Sequence, residues 1–98
     1  MKQIRVLVLE PLSTRPARAA LIEDSLAGMQ GVVGGYIERV ALVEPFELYC
    51  NEDGLLQRLA PNLLASRLAG QLIVGRAFIA RRDGEGLTDM TDEDCLRF

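Results

Sequence analysis

The sequence predicts an α+β protein with a small mixed or antiparallel sheet of about five strands and two or three short helices packed on one face. Apolar or alternating segments of strand length recur along the chain, and turns rich in Gly, Pro, Asn and Asp separate them. Helix signals are short and do not alternate regularly with the strands. The length of 98 residues suits one domain, which we expect to span residues 1–98.

The first half of the chain predicts two strands and a helix. Residues 6–9 are all apolar and indicate a strand buried on both faces, which Pro11 ends. Residues 17–23 are ambiguous, because their composition would also let them open a long helix. Asp24 and Ser25 prefer a helix cap to a helix interior, so we favour a short strand followed by a helix over residues 26–33. The two glycines after that helix end it.

The second half predicts a hairpin, a central strand and two more helices. Residues 46–50 alternate between apolar and polar, which indicates a half-buried strand, and Glu44-Pro45 joins it to a strand over residues 36–43. Residues 72–80 are the most apolar segment and indicate a central strand, in which Gly75 marks a bulge or a close approach of another backbone. The remaining elements are an extended segment over 55–60, a short helix over 63–68 that ends at Gly70, and a last helix capped by Thr91.

The net charge of −3 is unevenly distributed. Residues 83–98 contain six acidic residues and one arginine, so the rest of the chain is net basic. No concentrated basic face is visible, and we expect no specific nucleic-acid binding. No segment reaches the roughly 20 apolar residues of a membrane span, and the start lacks a signal-peptide pattern, so we expect a cytoplasmic protein that does not bind membranes. In that compartment Cys50 and Cys95 are expected to be reduced thiols, one in a strand and one in the terminal helix.

The composition argues against an enzyme. The chain has no histidine, which removes the commonest general base and metal ligand and excludes Ser-His and Cys-His nucleophiles. Residues 70–75 have the spacing of a phosphate loop, but they lack its lysine and run through a predicted strand. The acidic loop after residue 83 has Thr88 where a calcium loop needs glycine. We therefore expect no catalytic residue, no cofactor and no metal.

Arginine points instead to an anionic ligand. Every basic residue except Lys2 is an arginine, whose planar guanidinium suits carboxylate or phosphate. The candidate ligand-binding residues are Arg15, Tyr36, Asn62 and Arg67. Asn62 and Arg67 would line the start of the short helix, where anions are favoured. For Asn62, and likewise for Asn51, turn or cap hydrogen bonding is the alternative, and for Tyr36 the alternative is half-buried packing.

Several short motifs follow one another along the chain. They are Val-Leu-Val-Leu-Glu-Pro (6–11), Gly-Gly-Tyr-Ile-Glu (34–38), Cys-Asn-Glu-Asp-Gly (50–54), Pro-Asn (61–62), Ile-Val-Gly-Arg-Ala-Phe-Ile (73–79), Leu87 and Thr-Asp-Glu-Asp (91–94). Together they resemble a family of small proteins of unknown activity carried by bacteriophages, plasmids and other mobile elements. The resemblance implies a compact α+β fold and a mobile-element setting, and it implies no catalytic residue. Residues 12–19 depart from the pattern because they are rich in alanine and arginine.

Three functions follow as hypotheses. The first is a small non-enzymatic binding protein that sequesters an anionic nucleotide-derived signal of a host defence system and could form a homo-oligomer with pockets between subunits. The second is a protein–protein inhibitor or adaptor of a host enzyme that uses the acidic segment 83–98. The third is a hydrolase that uses Glu10, Glu38 or Asp53 with a divalent metal, for which no paired spacing is present.

Overall fold

The structure is a computed structural model that describes residues 2–98, and within them it contains six strands and three helices. The strands are β1 (Gln3–Leu9), β2 (Ala17–Glu23), β3 (Ile37–Ala41), β4 (Phe46–Asn51), β5 (Ala77–Asp83) and β6 (Gly86–Thr88). The helices are α1 (Leu26–Val33), α2 (Leu63–Ala69) and α3 (Asp92–Leu96). All strand pairs are antiparallel in the order β2-β1-β5-β4-β3, and β6 forms a hairpin with β5. The predicted α+β class and antiparallel sheet are confirmed.

The helices flank both faces of the sheet, whereas the sequence indicated one face. Phe78 and Ile79 are neighbours on β5 and are both fully buried, and they point to opposite faces. Ile79 packs in a core with α2 and α3, and Phe78 packs in a second core with α1. The physical reason lies in β1 and β5, which are apolar on both sides and therefore need cover on both faces.

The first half of the chain follows the prediction. Residues 17–23 form a strand, and β2 pairs with β1 along its whole length. Ser25 caps α1, because its Oγ atom accepts a hydrogen bond from the Gly28 N–H at 3.0 Å. Gly34 ends the helix in the left-handed conformation, with φ at 80°.

Two segments of the second half differ from the prediction. Consecutive turns occupy residues 52–58, where an extended segment over 55–60 was predicted, because the carbonyls of Asp53 and Gly54 accept hydrogen bonds from N–H groups four and five residues on. The predicted strand over 72–80 begins only at Ala77 and continues to Asp83. Gly75 interrupts it with φ at 80°, a conformation that breaks an extended strand.

The predicted connection between β3 and β4 and the predicted cap of the last helix are confirmed. Glu44-Pro45, a cis peptide bond, lies in the connection between β3 and β4. Thr91 caps α3 in a reciprocal box, in which its Oγ1 atom accepts from the Asp94 N–H at 3.1 Å and the Asp94 carboxylate accepts from the Thr91 N–H at 2.9 Å. Among the residues that the structure describes, no helix is long and apolar enough to cross a membrane.

Candidate functional site

A cavity of about 450 Å³ lies between the β1–β2 loop (residues 10–16) and α2, and we call it the loop cavity. Its volume falls within the range of small-molecule sites, roughly 300–1,000 Å³. The apolar lining consists of Leu12, Pro16, Pro61, Leu63 and Leu64, and the polar lining consists of Glu10, Ser13, Thr14 and Arg67. The site thus combines an apolar wall with a few polar groups, as small-molecule sites commonly do.

Hydrogen bonds within the β1–β2 loop fix the shape of this wall. The Glu10 N–H donates to the Pro16 carbonyl at 2.7 Å and closes the loop. The Ser13 hydroxyl accepts from the Arg15 N–H at 3.0 Å and donates to the Arg15 carbonyl at 3.1 Å. Leu12 adopts a φ of 56° and remains 88% exposed. A leucine with positive φ is uncommon, so the loop holds an apolar side chain at the cavity mouth at a conformational cost.

The acid on the cavity wall is neutralised by its neighbours. Glu10 Oε1 lies 2.7 Å from Arg76 Nε, and Glu10 Oε2 lies 3.1 Å from Arg18 Nη2. The hydrogen bond from Arg76, supported by that from Arg18, lowers the pKa of Glu10 below its ordinary value, although partial burial acts in the opposite direction. Glu10 is therefore ionised at neutral pH, and its charge is balanced by two guanidinium groups.

Arg67 and Arg15 lack such compensation. Within residues 2–98, neither forms an ion pair with a carboxylate within 4.0 Å. Arg67 lines the loop cavity, and Arg15 lies on the loop between three of its lining residues. The arginines that do have carboxylate partners are Arg5, Arg18, Arg39, Arg76, Arg81 and Arg82. Of the four predicted ligand-binding residues, Arg67 alone lines the loop cavity, and Arg15 lies on the adjoining loop; both are exposed cations.

Asn62, the third predicted residue, serves the fold. Its side chain is completely buried beside α2, where its Oδ1 atom accepts from the Ala65 N–H at 3.1 Å. Its Nδ2 atom donates to the carbonyls of Leu9 at 3.0 Å and Gly75 at 2.9 Å. Because its donors and acceptor are all engaged inside the protein, we remove it from the ligand site. Asn51 is also buried, and its amide bonds to neighbouring backbone and side-chain groups.

Tyr36, the fourth predicted residue, lies apart from the loop cavity. It is 67% exposed at the junction of α1 and β3. It lines a different cavity of about 340 Å³ together with Asp53 and Gln57. The sequence grouped Tyr36 with the arginines by residue type alone, and the fold separates them.

A second polar cluster on the sheet was not predicted from the sequence. Glu47 on β4 is 7% exposed and accepts hydrogen bonds from Arg39 Nη1 at 2.7 Å and Arg82 Nε at 2.6 Å. The Tyr49 hydroxyl donates to Glu47 at 3.2 Å, and burial and then the adjacent carboxylate raise the pKa of Tyr49. The alternation of residues 46–50 predicted a half-buried strand, but every residue of β4 is buried. Because these polar groups satisfy one another, the cluster is better explained as part of the sheet than as a ligand site.

Half of the acidic residues in segment 83–98 are engaged within the protein. Asp94 is buried and lies 2.9 Å from Arg81, and Asp92 lies 2.7 Å from Arg5. Asp89 accepts a hydrogen bond from the Arg5 N–H at 2.7 Å. The acidic residues left without such partners in the described chain are Asp83, Glu85 and Glu93, all exposed.

Cys50 in β4 and Cys95 in α3 are both free, as expected, and burial raises the pKa of Cys50 to about 11. Across residues 2–98, no group of three or more Cys, Asp and Glu side chains is placed to hold a metal ion.

A family model described as a domain of unknown function (DUF3846) matches residues 4–98. No significant match was found among curated proteins or among solved structures. The expected resemblance to a family of unknown activity is thereby supported.

Proposed function

Because the chain belongs to the DUF3846 family, whose function is unknown, its function must be argued from its own residues, and we propose that it binds a small anionic ligand in the loop cavity. The ligand class is a nucleotide-derived signal, which the protein sequesters without chemical change. In a phage, plasmid or other mobile-element setting, such sequestration would act against a host defence system.

The main support for this proposal is the charge of Arg67 on the wall of this cavity, which no carboxylate of the described chain balances. Glu10 would repel an anion if it were alone, but Arg18 and Arg76 balance it. A bound anion would therefore meet a net positive wall. Arginine can present two parallel N–H groups to a phosphate, which makes it better suited to this role than a point charge.

The apolar wall supports a ligand with a ring system in addition to its charge. Leu12, Leu63 and Pro16 line the cavity beside Arg67, and both leucines are more than 80% exposed. A base or similar ring packed on them would remove apolar surface from water while its phosphate lies near the guanidinium. Sequestration is favoured over turnover because the chain has no histidine and the acid at this site is paired with arginines.

Native mass spectrometry with a panel of cyclic dinucleotides and ADP-ribose derivatives tests this proposal. We expect the protein to gain the mass of one panel member, and Arg67→Ala to weaken that binding by about 10-fold or more. Arg58→Ala is the matched control, because Arg58 is also exposed and has no ion pair in the described chain but lies outside the loop cavity. Loss of binding in both variants, or in neither, would contradict the assignment of the site, and a protein that binds no panel member would contradict the ligand class.

A protein partner is the second candidate function. The exposed acids Asp83, Glu85 and Glu93 favour it, since they are available to a basic surface of a host enzyme. Deleting residues 83–98 would also remove α3 and the buried residues Met90 and Asp94, so it would damage the fold. The sharper variant neutralises the three exposed acids as Asp83→Asn, Glu85→Gln and Glu93→Gln. If this variant still captures the same host protein as the wild type, the acidic surface is not the contact.

A further inference from the structure

The outer edge of β2 pairs with no other strand of the described chain, and the start of α1 packs against it at Glu23. Within the described chain, β2 pairs only with β1, in a continuous register from Gln3↔Glu23 to Leu9↔Ala17. Edge strands are usually protected by proline, lysine, a bulge or short length. The seven residues of β2 include no proline, lysine or bulge, and its charged residues, Arg18 and Glu23, lie near its ends, whereas the opposite edge, β3, has five residues with Glu38 and Arg39 near its middle. An open edge of this kind is a template for pairing with another strand.

The hydrogen-bond pattern identifies the backbone groups at this edge. The Glu10 N–H bonds to Pro16 and the Asp24 N–H bonds to Lys2, so both ends of the hairpin are hydrogen-bonded pairs. Such pairs alternate along an antiparallel ladder, so the even-numbered residues of β2 direct their N–H and C=O groups to β1. The residues whose backbone N–H and C=O groups point away from β1 are Ala17, Ala19, Leu21 and Glu23.

These outward groups are largely unsatisfied. Among residues 2–98, only the Glu23 carbonyl has a partner, the Ser25 N–H at 2.9 Å. Ala19 and Leu21 are exposed on the same face, and Leu21 is 63% exposed. The edge therefore offers both backbone hydrogen-bonding groups and apolar surface to a partner strand.

We propose that this partner is β2 of a second copy, paired antiparallel about a two-fold axis at Ala20. In that register Ala19 lies opposite Leu21 of the partner subunit, and Ala17 lies opposite Glu23 of the partner subunit. In this register, every residue whose backbone N–H and C=O groups point outward lies opposite another such residue of the second copy. Each of the two Ala19–Leu21 pairs forms two hydrogen bonds. Each of the two Ala17–Glu23 pairs forms only one, because the Glu23 carbonyl already accepts a bond from the Ser25 N–H, so the interface has six hydrogen bonds in all.

The side chains fit the same register. On one face, the small Ala19 side chain lies beside Leu21 of the partner subunit near the axis and helps to bury it. On the other face, Arg18 lies opposite the apolar Ile22 of the partner subunit and diagonal to Asp24 of the partner subunit, whereas Glu23 points to the face of Ala19 and Leu21. No two like charges are opposed, and the cation at each end lies near an acid of the other copy. A register centred on Leu21 would leave Ala17 unpaired and form fewer hydrogen bonds.

Size-exclusion chromatography with light scattering tests the dimer, with proline variants at the two edges. Ala19→Pro removes an outward N–H without breaking the ladder to β1. Ala41→Pro is the matched control, because the bond from Leu42 N–H to Phe46 places the Ala41 N–H outward on the opposite edge. We expect a wild-type dimer, a folded Ala19→Pro monomer with dimerisation weakened by about 10-fold or more, and an unchanged Ala41→Pro dimer.

Two further measurements keep the proposal falsifiable if Ala19→Pro fails to fold. Leu21→Lys places two lysines near the axis and leaves the ladder to β1 intact, so it too should dissociate the dimer. In the wild type, the Ala19 and Leu21 amides should exchange slowly with solvent, while the Arg39 and Ala41 amides at the other edge exchange fast. A wild-type protein that stays monomeric at about 100 μM, or a dimer that survives both β2 substitutions, would overturn the proposal. Neither result depends on the ligand of the loop cavity.

Discussion

The Oε1 atom of Glu47 lies 2.6 Å from the Nε atom of Arg82, on a sheet face where Glu47 is only 7% exposed. Arg39 contacts the other carboxylate oxygen at 2.7 Å. A single acid thus joins β3, β4 and β5, because Arg39, Glu47 and Arg82 belong to those three strands. It links both neighbours of β4 through one side chain.

Glu47→Gln should lower the free energy of unfolding by about 1–3 kcal/mol, because the amide leaves two guanidinium groups without their charged partner. The effect should stay below that of a fully buried pair, since both arginines are partly exposed. Urea denaturation measures it, and Glu85→Gln in the exposed β5–β6 turn is the control. Equal unfolding free energies for the two variants would show that the cluster does not stabilise the sheet.

Asn62→Ala should lower the free energy of unfolding by about 3 kcal/mol or more, because it removes a helix cap and also leaves the carbonyls of Leu9 and Gly75 without their donor. Ser25→Ala removes a cap only and should cost about 1 kcal/mol. Thermal or urea denaturation of both variants gives the difference. If the two costs were the same, the buried amide would contribute nothing beyond the cap.

Gly75→Ala should be markedly more destabilising than Gly84→Ala. Both glycines have positive φ, at 80° and 63°, so both variants carry the same type of backbone strain. At Gly75 an added Cβ atom would also lie 2.6 Å from Leu59 Cδ1, while at Gly84 it meets nothing within 4 Å. Denaturation midpoints measure the stability of both variants. Adding Leu59→Ala to Gly75→Ala should restore the stability lost to the contact with Leu59, but not the stability lost to backbone strain. A Gly75→Ala protein as stable as Gly84→Ala would mean that Leu59 moves aside freely.

Asp94 should make stability depend on pH in the acid range. Burial alone would raise the pKa of Asp94, but hydrogen bonds from Thr91 and the guanidinium of Arg81 outweigh it and hold the pKa below its ordinary value. The unfolded chain then binds the proton first as pH falls, so the stabilisation is complete above about pH 4 and is lost as pH falls through the lower folded-state value.

Asp94→Asn removes this titration. The variant should be less stable than the wild type at neutral pH, and the gap should narrow below about pH 4. Glu10, whose pKa is also lowered, is present in both proteins and cancels in the comparison. Urea midpoints measured across the acid range give the gap, and a gap that stays constant with pH would exclude the proposed role of the carboxylate charge.

Local features of the fold were predictable from the sequence. The caps at Ser25 and Thr91 depend on bonds to residues three positions on, and the hairpin at Glu44-Pro45 depends on the turn residues themselves. The strand over 17–23 was recognised because the polar pair at 24–25 suits a cap. Interactions between residues a few positions apart can be predicted from a short stretch of sequence, because all the partners lie within it.

Features that depend on distant residues were not predictable. Asn62 reaches Leu9 and Gly75, which lie far from it in the chain, so its burial could not be distinguished from a site at the helix start. Glu47 alternates with apolar residues like a solvent-facing side chain, and only pairing of β4 with its neighbours brings Arg39 and Arg82 to it. For the candidate site, the sequence identified arginines as candidate ligand-binding residues. Which arginines lack acidic partners is visible only in the fold.

The order of the strands has a consequence for biosynthesis. Residues 7–9 of β1 pair with residues 77–79 of β5, so the centre of the sheet joins two segments that lie far apart in the chain. During translation, the β1–β2 hairpin leaves the ribosome before β5 does, so its β1 edge stays open until β5 has been synthesised. A nascent chain arrested before residue 77 would present both edges of an apolar hairpin to the cell, which makes it a substrate for chaperones and a risk for aggregation.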